Sequence, residues 1–162
     1  MLLTGPSAPL ERGNIAARCR MVVLYDRAKK RRALVVGTTN RSELMMGYMT
    51  KFGDGAEDLM PLCRLYKTQV WALARMIGIP EEIVAKVPTA GLWEGQTDEG
   101  EMGITYHDLD LALNAMEHGG DDAAMAAAAG ITAAKAAELR AQVQATEHKR
   151  QPAAAPMADP NI

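Results

Sequence analysis

Only two cysteines occur in the 162 residues, Cys19 and Cys63, and neither stands in a C-x-x-C pair or beside a pair of histidines. That excludes a disulfide framework and a thiolate zinc site, and it suits a reducing compartment, with the cytoplasm as the expectation. Excess positive charge is missing too: 18 basic residues against 20 acidic ones give a net charge of -2 and a pI near 5.9. Without a basic face there is no electrostatic footprint for a nucleic-acid backbone. The single basic run, Lys29-Lys30-Arg31-Arg32, falls where a helix is expected to end, and cations there complement the helix dipole on a solvated face. No apolar run reaches the roughly 20 residues of a membrane span, and the amino terminus lacks the charged-then-apolar pattern of a secretion signal. Neither nucleic acid nor a membrane is therefore expected as a partner. Internal repeats are absent as well.

What is present suits one globular core, with 48% hydrophobic and 23% charged residues. Ile15, Cys19 and Val22 lie at helical spacing within Asn14 to Lys30, and Ala33-Leu34-Val35-Val36-Gly37 reads as a buried strand. A helix over about Arg41 to Met49 follows, with Asn40 and Glu43 at capping-box spacing. Another spans about Thr68 to Ile77, with a stripe of Val70, Leu73, Ala74 and Ile77 stopped by Gly78; Pro80-Glu81-Glu82 starts a short one. Pro88 to Gly103 has no sustained period, the mark of a functional or disordered loop. Thr105 and Asp108 open a helix with Leu109, Leu113 and Met116 inward, and alanine-rich helical sequence continues to about Glu147. Residues 1–12 and 151–162, rich in proline and small residues, are expected to be a poorly ordered leader and a flexible tail around a domain at 13–150.

A strand feeding directly into a helix implies a parallel sheet, and such a sheet needs strands on its flanks and helices on both faces. Only one convincing strand is found. The α/β domain thus looks incomplete, with a second copy or a companion polypeptide expected to supply the rest.

Several motifs follow one another in a specific order: Gly13-Asn14-Ile15-Ala16-Ala17-Arg18, Gly37-Thr38-Thr39-Asn40-Arg41-Ser42-Glu43, Thr50-Lys51-Phe52-Gly53-Asp54-Gly55-Ala56-Glu57-Asp58, Leu65-Tyr66-Lys67-Thr68, Pro88-Thr89-Ala90-Gly91-Leu92-Trp93 and Glu147-His148-Lys149-Arg150. In this order they resemble the ammonia-dependent NAD synthetases over roughly residues 13 to 150. The resemblance implies an α/β fold: part of an adenine nucleotide alpha hydrolase-like, Rossmann-like parallel sheet, with a predominantly helical carboxy-terminal half. It also implies a ligase that uses ATP to adenylate the nicotinate carboxylate of deamido-NAD, releasing pyrophosphate, after which ammonia displaces AMP to give NAD. Mg²⁺ as cofactor and a homodimer come with it.

Residue by residue, the resemblance places Thr38, Lys67 and Thr89 on ATP, Glu43 on Mg²⁺, and Arg18, Lys51, Asp58, His148 and Lys149 on deamido-NAD. No residue is assigned as an acid or base. All of them except Thr89 have an ordinary reading as well. Thr38 is a turn or cap residue after a strand, Glu43 the capping partner of Asn40, Arg18 a snorkelling surface arginine, and Lys51 and Asp58 loop charges. His148 and Lys149 suit a cationic helix end. Lys67 is an exposed lysine or, since a cation at a helix amino terminus opposes the dipole, one that has an anion nearby. The segment Gly91 to Glu101 resembles a loop that closes over the site and excludes water.

One element of the pattern is missing from the 162 residues: the Ser-Gly-Gly-x-Asp-Ser loop that grips pyrophosphate and shares the metal. Thr4-Gly5-Pro6-Ser7 does not match it, and no Gly-x-x-x-x-Gly-Lys loop replaces it. No glutaminase region is found either, so free ammonia is the expected nitrogen source. A truncated product, a start-site error or one piece of a split enzyme is the expectation, with an inactive dinucleotide-binding and dimerisation fragment as the alternative to an active ligase.

Overall fold

The computed structural model describes residues 8–152, beginning with the long helix α1 (Pro9–Arg31). Proline in its first turn, Glu11 accepting from the Ala8 amide at 3.0 Å, and Lys29, Lys30 and Arg31 in its last turn supply the start and stop. These signals carry the helix back to Pro9, so residues 9–12 are helical where a disordered leader is expected. The rest of that leader, residues 1–7, and the tail from 153 onward lie outside the described residues.

The buried face of α1 differs from the expected stripe. Ile15 and Val22 are 45% and 61% exposed and Cys19 is exposed, whereas Gly13 and Ala17 are buried. Close approach is the cause: a Cβ at Gly13 would lie 2.6 Å from Leu92, and one at Gly53 would lie 3.0 Å from Ala17. Small residues let the backbone sit down on its neighbours, and the large apolar side chains are left on the open side.

The segment Ala33 to Gly37, expected as a buried strand, is extended but joins no named strand. Among the described residues its pairing is a single parallel bridge, Val36 to Leu59, with hydrogen bonds from Asp58 N to Val35 O and from Gly37 N to Leu59 O, both 2.9 Å. Leu34 is 68% exposed and Val36 57%. A strand is buried only between neighbours, and here pairing is described on one side alone, so neither a ladder nor a covered face forms. The expected Rossmann-like sheet is accordingly reduced to this bridge, whose direction is parallel.

The core belongs to the helices that follow: α2 (Arg41–Met46), α3 (Lys67–Met76), α4 (Glu81–Val84), α5 (Asp98–Met102), α6 (Tyr106–Glu117), α7 (Asp122–Ala129) and α8 (Ala133–Ala145), then a 3-10 turn at Glu147–Lys149. Asn40 caps α2 as its spacing predicts, and Gly47 at φ +63° ends it earlier than expected, where a Cβ would lie 2.3 Å from Thr146. Helix α6 is central, packing on α2, α3 and α7, with Tyr106, Leu109, Ala112 and Leu113 fully buried. Leu109 and Leu113 match the expected stripe. On α3, Val70, Leu73 and Ala74 are half-buried, but Ile77 is 65% exposed; Trp71 instead stands edge-on to Tyr106, ring centres 5.8 Å apart. The alanine-rich stretch is two helices, broken at Gly130 (φ +66°), and each is restarted by a cap, Asp121 for α7 and Thr132 for α8.

Two results are expected. Leu113→Ala should lower unfolding free energy by about 2–5 kcal/mol in urea titrations, through lost burial and the cavity left at the centre of α6. Glu57 lies against Gly37 with Oε1 buried and unpartnered; burial raises its pKa, opposed by a hydrogen bond from Thr39. The folded chain therefore holds this proton more tightly than the unfolded one. The stability it contributes is fully present below the unfolded carboxylate pKa and is lost as pH rises through the folded value. Glu57→Gln should flatten that fall in titrations run between about pH 4 and about pH 8; an unchanged slope would show that other groups set it.

Candidate functional site

The turn into α2 sets the first group of side chains. Asn40 Oδ1 accepts from the Glu43 amide at 3.0 Å and Glu43 Oε2 accepts from the Asn40 amide at 3.1 Å, so the capping box is real. The other oxygen of Glu43 lies 3.3 Å from Lys67 Nζ, both side chains being 18% exposed. Lys67 Nζ is also 5.2 Å from the centre of the Tyr106 ring. The anion expected beside a lysine at a helix amino terminus is, within the chain itself, Glu43.

Thr38, Glu43, Lys67 and Thr89 all line one cavity of about 440 Å³, shared with Thr39, Tyr48, Asp54 and Asp98. The residues expected at ATP and at the metal are thus gathered from three separate motifs. Thr89 Oγ1 accepts from the Gly91 amide at 3.0 Å and so shapes the start of the expected closing loop. That loop is ordered by its own polar groups: Gln96 accepts from the Leu92 amide at 2.8 Å and donates to Glu101 at 2.6 Å, while Tyr48 OH donates to Glu101. Burial, then the bond to Glu101, pushes the Tyr48 phenol pKa far up, so it stays a donor.

Asp98 is a site residue that pattern reading did not single out. It is 4% exposed, accepts from Tyr106 OH at 2.9 Å, and leaves Oδ1 buried with no protein partner. Asp54, which accepts from the Thr50 amide at 3.0 Å, was missed in the same way. Asp110 was missed too, although a carboxylate on the inward side of α6 beside Leu109 and Leu113 is a readable signal. It is 5% exposed and takes part in hydrogen bonds at the amino end of α3.

A second cavity of about 600 Å³ lies between α1, α8 and residues 46–54, and shares Tyr48, Asp54 and Ala90 with the first. Of the residues expected at the dinucleotide, Lys149 lines it and Arg18, Lys51, Asp58 and His148 do not; Arg20 does. Arg18, Lys51 and His148 do come together: Arg18 Nε donates to Lys51 O at 3.3 Å, and Lys51 Nζ donates to His148 O and lies 3.5 Å from His148 Nδ1. Asp58 stands apart from them, accepting from the Val35 amide at 2.8 Å and from Tyr25 OH at 3.4 Å. Lys149 Nζ donates to Gly47 O at 2.7 Å and Met49 O at 2.8 Å, and burial lowers its pKa.

Among the described residues no three histidine, cysteine or acidic side chains gather as a metal cage. The cavity's donor set suits a hard cation that is shared with a ligand. Mg²⁺ typically takes one or two carboxylates and completes its shell with water and phosphate oxygens, and Glu43 offers such a carboxylate.

The NAD synthase family model matches residues 4–153. The NH(3)-dependent NAD(+) synthetase of Methanosarcina acetivorans is 44% identical over 141 residues, 87% of this chain and 55% of that protein. Among solved structures, the NMN synthetase of Francisella tularensis superposes with a TM-score of 0.78 at 40% identity, over 94% of this chain and 59% of that one. The NH3-dependent NAD synthetase of Campylobacter jejuni does so with a TM-score of 0.74 at 29% identity, over 94% and 58%. The chain spans somewhat over half the length of these relatives, shares their fold across that span, and belongs to the NAD synthase family.

Proposed function

We propose that this chain takes part in the ATP-dependent amidation of deamido-NAD by free ammonia, through an acyl-adenylate, with release of pyrophosphate and AMP. The observation that carries the reading is the convergence of Thr38, Glu43, Lys67 and Thr89 on one cavity wall. Adenylation brings a carboxylate up to a triphosphate, so a site for it needs fixed cations and donors before the anions arrive. Lys67 supplies the cation, and its salt bridge to Glu43 keeps it aimed while the phosphate is absent. Glu43 would hold Mg²⁺ together with phosphate oxygens, and the metal would supply charge neutralisation there. Thr38 and Thr89 contribute hydroxyls for the nucleotide. The neighbouring cavity, joined through Tyr48, Asp54 and Ala90, would take deamido-NAD with Lys149 on its wall, and the Arg18, Lys51 and His148 cluster offers further cations. Asp58 is proposed as a dinucleotide contact on the resemblance alone. Closure of residues 91–101 would exclude water from the adenylate.

The same reading makes the protein a cytoplasmic homodimer with an α/β fold, in which the Val36 to Leu59 bridge is one rung of a parallel sheet. The open face of α1 supports association: Ile15, Val22 and Val23 are 45%, 61% and 57% exposed. A second reading, a fragment that binds and dimerises without turnover, is favoured by the bare edge at Leu34 and Val36.

NAD formation by the purified chain from deamido-NAD, ATP, Mg²⁺ and ammonium is expected to vanish in Glu43→Ala. Deamido-NAD binding with no AMP release would select the fragment. Nicotinate mononucleotide belongs beside it as an alternative acceptor, prompted by the name of the Francisella protein. In sedimentation at micromolar concentration a dimer is expected, and Val23→Glu should shift it to monomer; a monomeric parent chain would remove the dimer from the reading.

A further inference from the structure

At the start of helix α3 Gln69 accepts from the Tyr66 amide at 2.9 Å, but Tyr66 at the N-cap makes no side-chain bond to the first-turn amides. The first two amides of the helix are held from elsewhere. The Lys67 amide donates to Ser42 Oγ on α2 at 2.9 Å, and the Thr68 amide donates to Asp110 Oδ2 on α6 at 2.9 Å. Thr68 Oγ1 donates to the same oxygen at 2.7 Å, and Ser42 Oγ donates to Asp110 Oδ1. Ser42 is fully buried and Asp110 5% exposed, so this is a dry network in which both carboxylate oxygens are used.

We propose that Asp110 is a positioning residue for Lys67, an inference that rests on the ATP reading above. A carboxylate at the positive end of α3 favours the helix start there and offsets the unfavourable placement of Lys67 in the first turn. It also fixes where that turn stands. Ser42 adjoins Glu43 in sequence, and Thr68 adjoins Lys67, so the network ties down the residues next to both halves of the Glu43 to Lys67 pair. The lysine is thereby held from its backbone as well as from its ammonium. Packing alone does not call for this arrangement, since apolar residues of similar volume usually stabilise a core at least as well as a buried charge. Loss of the carboxylate leaves two donors of α3 unmatched and the turn free to shift, and misplacement on the order of 1 Å can cost about a hundredfold in a preorganised site.

The test is ATP affinity of the full chain with Mg²⁺, by calorimetry, for the parent, Lys67→Ala, Asp110→Asn and the double variant. Asp110→Asn should weaken ATP by about tenfold or more while leaving helical content intact, and it should add little in the Lys67→Ala background, because it acts through that lysine. Losses that add fully, or an Asp110→Asn chain that binds ATP like the parent, would overturn the proposal. Should Asp110→Asn fail to fold, Ser42→Ala carries the same test: a loss seen only when Lys67 is present supports it, and an equal loss without Lys67 overturns it. A folded parent chain that binds no ATP takes down the nucleotide reading and this proposal together, whereas a parent that binds ATP and an additive pair takes down the proposal alone.

Discussion

A helix of six residues cannot hold itself together in water, because the cost of nucleation exceeds what one or two turns return. Helix α2 is that short, and much of the molecule hangs on it. It contributes Met45 and Met46 to the core, Ser42 to the buried network, and Glu43 to the cavity. Its ends are therefore satisfied by a local cap at one side and by distant residues at the other. At the amino end Asn40 and Glu43 exchange hydrogen bonds. At the other end Lys149 reaches the carbonyls of Gly47 and Met49, and Arg150 those of Leu44 and Met45, from about a hundred residues away in sequence. The carboxy-terminal turn thus closes the fold onto this short helix, which carries Glu43 into the cavity.

The buried carboxylates show how differently such groups are handled in one small chain. Asp110 has both oxygens engaged by donors of α2 and α3, which is the condition under which a buried charge is tolerated. Asp98 has one oxygen on Tyr106 and one bare. Glu57 has one buried oxygen without a partner, and burial raises its pKa. Asp110 is accounted for by the fold, while the other two are local weaknesses beside the cavity and the bridge.

Legibility in the sequence followed the physical range of each signal. Caps are local and were read correctly, as Asn40 with Glu43 and Thr105 with Asp108 demonstrate. Helical period was also legible, but not which face a helix buries: Ile15, Cys19 and Val22 have the right spacing and point outward, while Gly13 and Ala17 share the period and pack. Burial of the strand was misread because hydrophobicity records what a segment needs and not whether a neighbour is there to cover it. At the site, Thr38, Glu43, Lys67 and Thr89, named from ordered motifs, line one cavity, whereas the partner of Asp98 is a tertiary contact that no spacing rule encodes, and Asp110 shows in the sequence only as a carboxylate on the inward side of α6.

Lys149 illustrates how a structural anchor need not use up a lysine's charge. Its ammonium has three donors, of which two go to Gly47 and Met49 carbonyls while the side chain still lines the second cavity. Two neutral acceptors fix the position of the charge without neutralising it. The same holds for Lys51, which is anchored on the His148 carbonyl and ring nitrogen and not on a carboxylate. Lys67 is the contrasting case, since its partner is the anion Glu43. On the proposed reading, a phosphate at Lys67 would share or displace that carboxylate, and Glu43 would be drawn off the lysine if it held a cation. A lysine held by carbonyls keeps its charge unpaired, whereas a lysine held by a carboxylate would become available to a phosphate only once that carboxylate had another partner.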